Sequence, residues 1–143
     1  MATTIARLRP ADAEKSFADI KKLLKQLPDQ IDLTPENLSA VLSNLDTILL
    51  VILDEEHIVG MGGIYIEHQL ERRRGHVEEV VVDDAYRGRG LGNALMDRLI
   101  EEAKEVGLVE LELTSRPSNV TANTWYQKLG FEKRETNVYR LKL

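Results

Sequence analysis

The chain has 143 residues, 43% of them hydrophobic, with 19 Lys+Arg against 24 Asp+Glu and no cysteine, a length suited to one hydrophobic core rather than two. Without cysteine there is no disulfide framework, no zinc-thiolate site and no thiol nucleophile. A formal charge of -5 disfavours a nucleic-acid backbone binder, and no apolar run reaches the roughly 20 residues that span a bilayer.

The stretch from Met1 to Lys15 lacks the apolar core of a signal peptide, so a cytoplasmic location is expected. No repeat or Gly/Ser/Pro-rich linker interrupts the chain, and residues 1–143 read as one domain. Alternation at Ile5 and Leu8 predicts a strand over Thr4 to Arg9, ended by Pro10. Phe17, Ile20, Leu23, Leu24 and Leu27 fall at helical spacing and predict an amphipathic helix over Ala11 to Leu27. Thr34 followed by Pro35 marks a helix start: the hydroxyl can cap free N–H groups, and proline at the first helical position loses no hydrogen bond. That helix is expected to end near Leu42.

Thr47 to Leu53 is too short and too β-branched for a buried helix. It predicts a strand that turns at Asp54 to His57 into a second strand over Ile58 to Glu67. Gln69 to Gly75, with Arg72, Arg73 and Arg74 in a row, reads as a solvated loop before a strand from His76 to Val82. Beyond the turn Arg87-Gly88-Arg89-Gly90-Leu91-Gly92, the residues Leu91, Leu95, Leu99, Ala103 and Val106 mark one face of a helix ending at Gly107. Leu108 to Thr114 reads as a further strand, so strand, glycine turn, helix and strand form a βαβ unit with parallel flanking strands. Val120 to Leu129 predicts a short helix closed by Gly130. Phe131 to Glu135 and Val138 to Leu143 are expected to form a final hairpin. The sum is a mixed α/β sandwich.

Glycines at a strand-to-helix junction expose backbone N–H groups at the positive end of the helix dipole, a site suited to phosphate or pyrophosphate. Arg87 and Arg89 add positive charge there. A P-loop would need Gly-Lys-Ser/Thr, but Gly92 is followed by Asn93-Ala94. A Rossmann site would need Gly-x-Gly-x-x-Gly, and the spacing here is Gly-x-Gly-x-Gly.

The segment Val80-Val81-Val82-Asp83-Asp84-Ala85-Tyr86-Arg87-Gly88-Arg89-Gly90-Leu91-Gly92 resembles the acyl-CoA signature of the GNAT superfamily of N-acetyltransferases, here in the form Arg87-x-x-Gly90-x-Gly92. A second block, Asn119-x-x-Ala122-x-x-x-Tyr126-x-x-Leu129-Gly130-Phe131, resembles that family's downstream element. Ile5 to Ala13 is weakly similar to its opening strand. The resemblance implies a mixed, mostly antiparallel α/β sheet with a central splayed parallel strand pair and helices on both faces. It implies acetyl transfer from acetyl-CoA to a primary amine by direct attack in a ternary complex. In that setting the absence of cysteine removes an acyl-cysteine route.

By the same resemblance, Arg87, Gly88, Arg89, Gly90, Leu91 and Gly92 would hold the pyrophosphate. Val80, Val81 and Val82 would pair with the pantetheine arm as an added strand does. Asn119 would contact the cofactor, and Tyr126 would act as general acid at the CoA sulfur. A backbone N–H near Val81 would meet the oxyanion. Glu79, then Glu78, then His76 are the candidates for general base, with a water chain as an alternative. In a regular strand His76 and Glu78 share a face and Glu79 takes the other, an arrangement that a bulge reverses. The stretch His76-Val77-Glu78-Glu79 also resembles the corresponding strand of glucosamine-phosphate N-acetyltransferases.

His57 and His68 are isolated, so no metal site is expected. Arg72 to Arg74 read first as a solvated loop and second as a grip on an anionic acceptor; Arg116 is a single candidate of the second kind. The acceptor class stays open among small amines, amino sugars and peptide or protein amines. A non-catalytic acyl-CoA-binding module is the main alternative function. An RNA-binding protein using the Arg-Gly turn is disfavoured by the acidic balance. Neither a membrane nor nucleic acid is expected as a partner. Dimerisation is common in the family, which makes a homodimer one expectation.

Overall fold

The computed structural model describes residues 2–28 and 32–143. They fall into two compact units, Met1–Leu113 and Thr114–Leu143.

The first unit is built on a sheet of strands β1 (Thr3–Arg7), β2 (Thr47–Asp54), β3 (His57–His68), β4 (Arg73–Val82) and β5 (Leu111–Glu112), ordered β1-β2-β3-β4-β5. The first three pairings are antiparallel and β4 with β5 is parallel. A 3-10 turn over Pro10–Asp12 leads into helix α1 (Ala13–Leu24), which ends before the expected Leu27. Helix α2 (Pro35–Ser43) starts as its sequence dictates, with the Thr34 hydroxyl accepting from the Asn37 N–H. Helix α3 (Leu91–Glu105) crosses over between β4 and β5.

Strand β2 is buried without a break from Thr47 to Ile52, as an inner strand covered on both faces must be. On one face Leu49, Val51, Met61 and Val81 meet Ile20 and Leu23 of α1 and Leu38 and Leu42 of α2. On the other face α3 buries Leu95, Met96, Leu99 and Ala103. A side chain at Gly62 of β3 would strike Leu99 and Leu95 at 3.0 and 3.3 Å. The fold class is the mixed α/β sheet with helices on both faces that the sequence implied.

Three expectations need correction. Arg73, Arg74 and Gly75 are not loop but the first residues of β4, because β3 runs on to His68 and holds them in register through Glu67 opposite Arg74 and His68 opposite Arg73. The strand expected over Leu108 to Thr114 is reduced to Leu111–Glu112. Its ladder with β4 consists of Gly75 opposite Leu111 and His76 opposite Glu112. Among the described residues, Val77 to Val82 therefore have no strand partner on that side.

The third correction concerns the second unit. There helix α4 (Val120–Lys128) is capped by the Asn119 side chain accepting from the Ala122 N–H, and the chain reverses at Gly130 with φ 102°. Residues 131–143 form neither helix nor strand, so the expected terminal hairpin is absent. Its apolar residues Val138, Tyr139, Leu141 and Leu143 are exposed, and a two-stranded hairpin with no covered face is marginal in water.

Gly75 sits where no side chain fits. A Cβ there would lie 2.6 Å from Ile64, 2.8 Å from Leu111 and 3.0 Å from Leu108. Gly75→Ala is expected to destabilise the chain by about 1–3 kcal/mol through overpacking, read as a lower urea midpoint at unchanged slope.

Candidate functional site

Strand β4 carries the irregularity that shapes the site. Between the pairs Gly63–Glu78 and Met61–Val81, two steps along β3 correspond to three along β4. The extra residue is a β-bulge at Glu79, whose φ of 60° is uncommon for any residue other than glycine. In an unbroken strand Glu79 would point to the face opposite His76. The bulge instead brings its carboxylate to Tyr65, which lies directly across from His76. The Tyr65 hydroxyl donates to Glu79 Oε1 at 2.8 Å.

Burial pushes the Glu79 carboxyl above its ordinary value; the Tyr65 hydrogen bond pulls the other way, and the Glu78 charge adds to the rise. Burial also pushes the Tyr65 phenol up, reinforced by the charge and hydrogen bond of Glu79. Glu78 itself is exposed. Of the three base candidates, Glu79 is thus half-buried, hydrogen-bonded and perturbed, features that concentrate at reacting groups.

His76 is otherwise engaged. Its Nε2 lies 2.6 Å from Glu67 Oε2, a contact that holds the Glu67 carboxyl below the usual range. Next to it Arg74 spans Glu112 at 3.2 Å, Glu110 at 3.4 Å and Glu67 at 3.7 Å. Arg72 pairs with Glu110 at 3.3 Å, and Arg73 donates to the Val106 carbonyl. All three arginines of the run therefore have partners within the protein. The face of the sheet from Glu67 to Glu79 carries the carboxylates of Glu67, Glu78, Glu79, Glu110 and Glu112.

The glycine turn lies at the other end of β4. Asp83 hooks it to β3 by donating its N–H to Val59 O, and its side chain accepts from the Ala85 N–H. Tyr86 donates to Asp54 at 2.5 Å, a bond that raises the phenol above its ordinary value. Arg87 donates from Nε to Val82 O and pairs with Asp84 at 2.6 Å. Arg89 donates to Ala85 O, and its guanidinium lies 4.8 Å from the centre of the Tyr86 ring. These two side chains brace the turn as well as charging it.

Gly88 and Gly90 have φ of 79° and 75°, and a Cβ at either would meet nothing within 4 Å. Their glycine is required by conformation, and the space around them is open. Gly90 caps α3, accepting from the Ala94 N–H, so Leu91 and Gly92 open the helix at its positive pole. An anion of pyrophosphate size fits such a terminus.

In the second unit Asn119 caps α4. The Tyr126 ring lies 5.2 Å from that of Trp125 and meets Phe131 edge-on at 6.1 Å. Sequence reasoning missed Tyr65 and the carboxylates around Arg74. The available signal was parity: Tyr65, Glu67, Arg74 and His76 alternate on neighbouring strands, which puts them on one face.

Comparison with known proteins supplies the family. Residues 15–131 match the model of the acetyltransferase (GNAT) family. The chain is 38% identical over 139 residues, 89% of its length and 80% of the relative's, to a probable glucosamine 6-phosphate N-acetyltransferase 2 of Oryza sativa subsp. japonica. A crystal structure of glucosamine-6-phosphate N-acetyltransferase from Arabidopsis thaliana superposes with a TM-score of 0.80 at 27% identity, covering 99% of both chains. An aminoglycoside acetyltransferase from a soil metagenomic sample shares the fold, with a TM-score of 0.85 at 20% identity over 100% of this chain and 99% of that one. The chain belongs to the GNAT family, whose enzymes use acetyl-CoA, and is an N-acetyltransferase.

Proposed function

We propose that the chain acetylates the primary amine of an amino sugar, with glucosamine 6-phosphate as the first acceptor to test and Glu79 as general base. The carrying observation is the bulge that turns a half-buried carboxylate out of its regular strand direction. The similarity to the rice and Arabidopsis proteins supports the acceptor class. The match over residues 15–131 supports treating 1–143 as one transferase domain.

The acetyl thioester supplies an activated carbonyl carbon. In this reading the amides from Arg87 through Gly92 hold the pyrophosphate, and the open edge of Val80, Val81 and Val82 pairs with the pantetheine arm. Asn119 contributes a cofactor contact. The carboxylates around Glu78 favour an approaching ammonium. Glu79 takes a proton from it, freeing the lone pair that forms the C–N bond. The N–H near Val81 stabilises the oxyanion. Collapse breaks the C–S bond, the departing thiolate takes a proton from Tyr126, and the second proton that the nitrogen sheds on becoming an amide restores the phenol.

Release of free CoA from acetyl-CoA tests this directly. Glucosamine 6-phosphate is expected to accelerate release, with N-acetylglucosamine 6-phosphate appearing in equal amount. Acetyl-CoA binding with no amino-sugar-dependent release would overturn the acceptor class. Gly90→Val tests the cofactor site: a β-branched residue is strained at φ 75°, so CoA affinity measured by calorimetry should fall at least about tenfold.

A further inference from the structure

We propose that Tyr65 is a positioning residue for catalysis: its hydroxyl fixes the Glu79 carboxylate through Oε1 and so reserves Oε2 for the acceptor's proton. This rests on the reading of Glu79 as general base.

Three observations carry it. Glu79 occupies an extra position in β4, so its side chain lacks the cross-strand neighbour that a regular register supplies. Tyr65 stands three β4 residues away in register, opposite His76, and reaches Glu79 because the bulge turns the glutamate toward it. Among the described residues, the 2.8 Å bond from Tyr65 is the hydrogen bond that the Glu79 side chain accepts, so one oxygen is tied and the other is unclaimed.

A carboxylate held at one oxygen loses rotational freedom and presents the other in a fixed direction, which is what proton transfer within hydrogen-bond reach requires. Phenol is suited to the task because it donates to the ionised form, offsetting burial and the Glu78 charge. The groups acting on the Glu79 carboxyl are Tyr65 from β3 and Glu78 from β4; neither α1 nor α3 supplies one among the described residues.

The test uses the full chain, acetyl-CoA and glucosamine 6-phosphate. In Tyr65→Phe the acidic limb of the kcat profile should move up by about one pH unit, and kcat on that limb should fall about tenfold with little change in KM. The 13C carboxyl titration of Glu79, assigned with Glu79→Gln, should move in the same direction. In the wild-type chain the Tyr65 ring carbon should report the same midpoint as the Glu79 carboxyl, a reading that needs no variant to fold.

A purely structural tyrosine would lower the melting temperature and leave limb and titration in place, which would overturn the proposal. A carboxyl titration that moves while the kinetic limb stays would retain the Tyr65–Glu79 coupling and overturn Glu79 as base, and the positioning role with it. An acidic limb that persists in Glu79→Gln would do the same.

Discussion

Replacing Glu79 by glutamine is expected to lower kcat by about 100- to 10,000-fold, the range that loss of a general base produces. The amide keeps the shape and can still accept the Tyr65 hydroxyl, so the loss reports the missing proton acceptor. The pH dependence has a definite sign. A base works only when ionised, and burial raises the Glu79 carboxyl above its ordinary value of 4.5. Wild-type activity should therefore fall as pH drops through a limb placed higher than an ordinary carboxylate's, and the variant should lack that limb.

Stability should move the opposite way. A folded-state value above the unfolded one means that the native chain binds the proton more tightly. The ionised carboxylate then costs stability as pH rises from the unfolded to the folded value. Glu79→Gln should melt higher than wild type at neutral pH, with the difference vanishing below pH 4.5. An inactive variant that is also less stable at neutral pH would point to a damaged fold.

The second large effect is expected at Tyr126. Tyr126→Phe keeps the ring that meets Trp125 and Phe131 and removes only the hydroxyl. A thiol with an ordinary value near about 8.5 leaves as thiolate more readily than an alcohol does, so losing its acid should lower kcat by about tenfold to a hundredfold rather than abolish it. Acetyl-CoA affinity by calorimetry should stay within about twofold, because a proton donated in the transition state adds little to ground-state binding. Unchanged turnover would return Tyr126 to a packing role.

Legibility followed the range of the interactions. Thr34 and Pro35 announced α2 because a cap and an N-terminal proline act within one turn of helix. Gly88 and Gly90 announced the turn because their conformation excludes other residues locally. The face taken by Glu79 was half legible: alternation defined the two options, but the choice depends on a register shift against β3 that no local residue specifies. Arg73 to Gly75 read as loop by composition and became strand because β3 extends far enough to pair with them. Leu108 to Thr114 had strand composition, yet its length is set by where β4 stops pairing. Alternation gave the face of Tyr65 but not its role, which comes from a partner 14 positions away.

The crowding at Gly75 acts as a clasp. Ile64, Leu111 and Leu108 close on that one position and fasten β4 to β5 at a single end, while the free arm of β4 runs on to the glycine turn. Past that clasp the backbone of β4 from Val77 to Val82 is left without a strand partner on that side among the described residues, so an extended ligand can add there as a strand does without displacing one. Any such addition must begin beyond His76, whose place on that edge is already taken by Glu112.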